Sequence, residues 1–203
     1  REAAQVGLFA AGAALASRLW LLAEALQTAW LPRSAGDPEG ESRRVAKTVR
    51  LCLVCCAAAA VVLFALSKPI IIVVLSPAFL PILVPFWVLL PGVVVRSVSK
   101  ILPAYFNGMD RPQVTSLAMG GTLLTNVVLM SWFLPKWGLV GVALAMSVSY
   151  AVEALFMALA FSRLSRLPVS TLCRVSRDDW RDLRGLAGGA LRRYRRRTAH
   201  VER

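Results

Sequence analysis

Apolar positions fall in five long runs separated by short polar breaks. They are Ala3–Leu31, Thr48–Ser67, Phe79–Phe106, Val114–Leu134 and Leu139–Phe161. Each reaches the roughly 20 residues that an α-helix needs to cross a bilayer. Arg18, Glu24 and Gln27 interrupt the first run. The third carries Pro81, Pro85 and Pro91 toward its start, with Arg96 and Lys100 deeper in, and Glu153 alone breaks the fifth. The pattern predicts an all-α integral membrane protein, with five transmembrane helices forming one lobe over residues 1–161 and a basic tail over 162–203. Pro69–Pro77 is apolar but too short to span. Its β-branched run Ile70–Val74 would suit a strand in water, but an open strand cannot face lipid, so an interfacial or re-entrant turn is expected.

Composition strengthens the membrane reading. Hydrophobic residues make up 57% of the chain and charged ones 17%, against about a quarter charged in soluble domains; mean hydropathy is +0.62. The net charge of +13 is unevenly spread: residues 1–161 carry +5 and residues 162–203, with twelve Arg and four acids, carry +8. Basic residues mark cytoplasmic loops. The loop with Arg33, Arg43, Arg44 and Lys47 and the Arg-rich tail are the two strongest such signals. Their parity agrees with alternation through the weaker loops at Lys68, Arg111 and Lys136, so the C-terminus is expected inside a cytoplasmic membrane. Five spans place the two ends on opposite sides, so a protein that starts in the cytoplasm is expected to have at least one more span upstream of Arg1.

The tail predicts an interfacial helix. Ser176 and Asp179 form a variant of the capping box. Trp180, Leu183, Leu186, Leu191 and Tyr194 fall roughly on one face, with Arg181, Arg184, Arg192, Arg193 and Arg195 on the other. Such a helix lies on anionic lipid. Gly185, Gly188 and Gly189 weaken it, so a solvated disordered tail stays an open alternative. Charge alone supports nucleic acid, and no nucleic-acid partner is expected. Cys52, Cys55 and Cys56 lie in an apolar run far from the single His200, which suits packing rather than a metal site. Cys173, just past the last run, is a candidate for reversible acylation.

Ionisable side chains at membrane depth are functional candidates because they are expensive there. At about 1.5 Å of rise per residue, Arg18 lies about 21 Å and Arg96 about 16 Å from their cytoplasmic helix ends. Glu24, Lys100 and Glu153 lie about 12, 10 and 13 Å in by the same rise. An upper level of Arg18 and Arg96 and a lower level of Glu24, Lys100 and Glu153 result. Arg offers a planar fork matched to phosphate oxygens. The functional reading is therefore a water-filled cavity whose Arg18, Arg96 and Lys100 attract a pyrophosphate or acidic sugar. Glu24 or Glu153 would bind a coupling ion or hold Lys100. The plainer readings are a Lys100 that snorkels to the surface and a Glu153 paired for structure only. Pro91-Gly92 should kink the third helix and is a hinge candidate. Gly120-Gly121 and the Gly138–Ala145 run favour close helix approach, and Asn126 is placed to hydrogen-bond between helices.

Three stretches resemble the polysaccharide-transporter branch of the multidrug/oligosaccharidyl-lipid/polysaccharide flippase superfamily. They are Gly7-Leu8-Phe9-Ala10 through Ser17-Arg18-Leu19-Trp20 to Trp30-Leu31-Pro32-Arg33; Leu89-Leu90-Pro91-Gly92 running to Asn107-Gly108 and Arg111-Pro112; and Asn126-Val127-Val128-Leu129 followed by Leu134-Pro135-Lys136-Trp137-Gly138-Leu139-Val140-Gly141. The match covers about residues 5–162, and Met130 stands where a second Asn is frequent. The resemblance implies two six-helix lobes rocking about a central cavity, with this chain supplying spans eight to twelve of a C-terminal lobe like that of multidrug exporters. It also implies that Arg18 matches an Arg common in the eighth span.

The expected function is movement of a lipid-linked oligosaccharide or polysaccharide precursor by alternating access, with no cofactor and no covalent chemistry. The expected partners are that lipid-linked sugar, the N-terminal lobe, and glycosyltransferases or a polymerase. Two alternatives stay open: an ion-coupled drug or metabolite exporter of the same superfamily, and a non-transporting scaffold that recruits cell-envelope enzymes through the tail. No nucleophile–base pair or metal set marks an enzyme.

Overall fold

The computed structural model describes residues 38–75 and 77–173. The first apolar run, with Arg18 and Glu24, and the proposed tail helix beyond Cys173 lie outside the described residues. Helix α1 spans Pro38–Ile70, followed by a π turn at Ile71–Leu75 and a 3-10 segment at Pro77–Ile82. Helix α2 spans Leu83–Gly108, α3 Pro112–Ser165 and the short α4 Ser170–Cys173. All described elements are helical, and α1, α2 and α3 are long and apolar enough to cross a membrane. This is the architecture of an α-helical membrane protein.

Each long helix buries one stripe. On α1 it runs through Val45, Val49, Cys52, Cys56 and Ala60, and on α2 through Phe86, Leu89, Val93, Ile101 and Tyr105. On α3 it runs through Ala143, Tyr150, Glu153, Met157 and Phe161. These positions repeat every three or four residues, so one face of each helix meets the others. The opposite faces expose Val61, Val62, Phe64, Leu66, Leu155, Phe156 and Leu159, as a lipid solvent requires. Apolar lipid removes the hydrophobic drive between helices, leaving close packing and interhelical hydrogen bonds to hold the bundle.

Those bonds join both ends. At one, the Ser42 and Tyr105 hydroxyls are 3.0 Å apart, the Tyr105 ring meets Phe161 edge-on at 5.0 Å, and Arg50 donates to the Thr171 carbonyl at 2.9 Å. At the other, Trp87 donates its indole N–H to Ser67 Oγ at 3.0 Å and packs on Phe64. Between them Cys52 and Cys56 lie buried with their sulfurs 3.8 Å apart.

Several boundaries differ from the sequence expectation, each for a physical reason. Helix α1 starts at Pro38 rather than Thr48, because Ser42, Val45 and Ala46 face the core while Arg43 and Arg44 face out. A segment that looked like a charged loop is an amphipathic first turn of the span. The expected turn at Pro69–Pro77 is instead a continuation of helix into the π turn, with Ile71 buried. Helical backbone satisfies its own donors there, and no strand forms among the described residues. The fourth and fifth runs share α3, which breaks at Gly138 with φ 55° and ψ −132°. The chain turns back so tightly that a Cβ on Gly141 would strike the Phe133 carbonyl. After α3 ends at Ser165, the chain stays on the bundle through α4, where Leu172 is buried.

Candidate functional site

Glu153 occupies the buried stripe of α3 where apolar neighbours would be expected, and it is 3% exposed. Its partner is Arg96 of α2, whose Nε lies 3.4 Å from Glu153 Oε2. That oxygen makes no hydrogen bond, so the contact is an ion pair rather than an aligned fork. The Arg96 guanidinium also lies over the Tyr150 ring, 4.1 Å from its centroid. Tyr150 precedes Glu153 by three positions and so shares its helix face. A cation thus rests between an anion and an aromatic face, two contacts that strengthen as water is removed. Lys100 stands one turn beyond Arg96 on α2 and so shares its helix face.

The arrangement sharpens the sequence reading. Arg96 of the expected upper level and Glu153 of the lower one meet in an ion pair. The 3 Å or so between the estimated depths of Arg96 and Glu153 is easily bridged by an arginine side chain. Glu153 contacts Arg96, where the sequence had offered Lys100. Tyr150 was not singled out, although an aromatic three positions from a buried carboxylate was a usable signal. Arg18 and Glu24 lie outside the described residues.

Burial decides what the cluster can do. The Arg96 side chain is 24% exposed. A guanidinium set against lipid tails is costly at this depth. Its open side therefore calls for water, a polar ligand or another protein element.

Pro91 and Gly92 lie about one turn from Arg96 toward the opposite end. Proline removes a helical hydrogen bond there, and the Ser147 hydroxyl of α3 donates to the nearby Val88 carbonyl at 2.8 Å. A Cβ on Gly92 would lie 2.6 Å from Ser147 Cα, so the two backbones approach as closely as only glycine allows. The hinge candidate is therefore a close-approach point of α2 with α3, about one turn from Arg96. Among the described residues no group of three or more His, Cys, Asp or Glu is placed to hold a metal.

No family model, curated protein or solved structure matches the chain.

Proposed function

We propose that this chain is one lobe of a membrane transporter that moves a lipid-linked oligosaccharide or polysaccharide precursor across the cytoplasmic membrane by alternating access. The observation that carries the reading is the partly exposed Arg96, held beside Glu153 and Tyr150 within the apolar helix α2. A fixed cation facing an open side suits a phosphate or pyrophosphate that must enter and leave, because its exchange partner is already in place. Glu153 neutralises Arg96 when the site is empty, and the substrate phosphate does so when it is full. Lys100 extends the cationic surface toward the basic end, and Arg18 of the first predicted span is proposed to line the same cavity.

The break at Gly138 supports two spans within α3, and Ala3–Leu31 then makes five. The start of α1, the α2–α3 loop with Arg111 and the end of α3 share one basic end, while Lys68 and Lys136 lie toward the other. Basic residues mark the inner side, so this distribution favours a cytoplasmic C-terminus, with the region beyond Cys173 on anionic lipid. A second lobe is proposed to close the open side of Arg96.

The test is export of lipid-linked sugar by the whole transporter carrying Arg96→Gln. The reading expects a loss of tenfold or more with normal membrane abundance. Unchanged export would remove it. A second reading, ion-coupled export of a small molecule, draws on the buried Glu153 and its neighbour Tyr150, since carboxylates and aromatics suit ion and drug sites. It expects Glu153→Gln to abolish ion dependence while Arg96→Gln is tolerated.

A further inference from the structure

A cavity of about 340 Å³ with polar and apolar lining opens at the basic end, away from the Arg96 cluster. It lies where three elements meet. Ser42 and Arg43 come from the start of α1, Tyr105 and Met109 from the end of α2, and Arg166 and Leu167 from the turn after α3. Its charged lining is two arginines, with no acid among the lining residues. The nearby Glu41 carboxylate turns instead toward Gly108, 3.8 Å from where a Cβ would sit. The Ser42 and Tyr105 hydroxyls, 3.0 Å apart and bonded to each other, give it a neutral polar side, and Met109 and Leu167 supply an apolar wall.

The Arg166 backbone gives an independent indication. Its φ is 57° and ψ 16°, a left-handed conformation at the helix end. Glycine normally fills this position because any side chain strains it. The turn is fixed by serines: Ser162 donates to the Leu167 carbonyl at 2.7 Å, and Ser165 Oγ accepts the Leu167 N–H at 3.3 Å. An arginine in a place suited to glycine, next to a Leu167 held by two serines and lining a cavity with a second arginine, matches the pattern of local strain retained at a binding site.

We propose that this cavity binds a phosphate ester, with Arg43 and Arg166 pairing the phosphate oxygens, the bonded Ser42–Tyr105 hydroxyl pair forming a neutral polar wall beside them, and Met109 and Leu167 covering the adjoining carbon chain. The position at the basic end of a membrane bundle favours the headgroup of an anionic phospholipid; a soluble phosphate ester has the same chemistry. The site shares no residue with the Arg96 cluster and does not depend on the transport reading.

The experiment is native mass spectrometry of the full 203-residue chain with phosphatidylglycerol, phosphatidylcholine or sn-glycerol 3-phosphate added. The variants are Arg43→Gln with Arg166→Asn, where asparagine tolerates the left-handed backbone, and Arg163→Gln as an exposed basic control outside the cavity. Circular dichroism confirms that each retains its helices. The chain is expected to hold phosphatidylglycerol more tightly than phosphatidylcholine. The double variant should weaken that binding roughly 30-fold, from two basic contacts, while Arg163→Gln leaves it unchanged. Competition by glycerol phosphate would assign the site to a soluble ester, and its failure to compete would assign it to membrane lipid; both support the phosphate site. Equal retention of the two lipids, or an equal loss from Arg163→Gln, would overturn it.

Discussion

At the scale of single residues, Glu153 is the most consequential side chain among those described. It is a buried carboxylate whose charge is met by Arg96 at 3.4 Å. Removing one member of a buried pair strands the other, whereas replacing both can be nearly neutral. Glu153→Leu and Arg96→Leu should each lower stability by about 2 kcal/mol, less than for a fully enclosed pair because Arg96 is partly open. The double variant should recover most of the loss. A double-mutant cycle by thermal unfolding in detergent checks this, and strict additivity would mean that the two charges do not interact. The sequence marked all three ionisable members of the cluster by their depth but not the pairing. Arg96 and Glu153 lie on different helices far apart along the chain, and only the packing of α2 on α3 decides which cation faces the carboxylate.

At the scale of elements, two glycines set the geometry. Gly92 lets α2 touch Ser147 of α3 backbone to backbone. Gly92→Val should cost about 1–3 kcal/mol by overpacking and separate the helices that hold the ion pair. An unchanged melting temperature would show that the contact yields freely. Gly138 takes φ 55° and ψ −132°, which other residues rarely adopt, so Gly138→Ala should cost about 1–3 kcal/mol in the same assay. The three long apolar helices and the break at Gly138 were legible because run length and turn residues act locally. The early start of α1 was not. Arg43 and Arg44 looked like loop residues until their neighbours Ser42, Val45 and Ala46 were seen to face a core made by α2 and α3. The Arg43–Arg166 cavity was equally hidden, since it forms only where three elements converge.

At the scale of the molecule, the charge distribution and the helix reversals predict one orientation. In a chain freed of native cysteines, an impermeant thiol reagent added outside cells should label Lys136→Cys and leave Met109→Cys untouched until the membrane is opened. The reverse pattern would invert the topology. The central claim is that Arg96 and Glu153 together serve transport and not only stability. The most direct measurement is translocation of lipid-linked sugar by the whole transporter carrying Arg96→Leu with Glu153→Leu, beside its melting temperature. The double variant is expected to melt within a few degrees of the parent yet move substrate at least tenfold more slowly. A variant that is equally stable and moves substrate at the parent rate would contradict the claim.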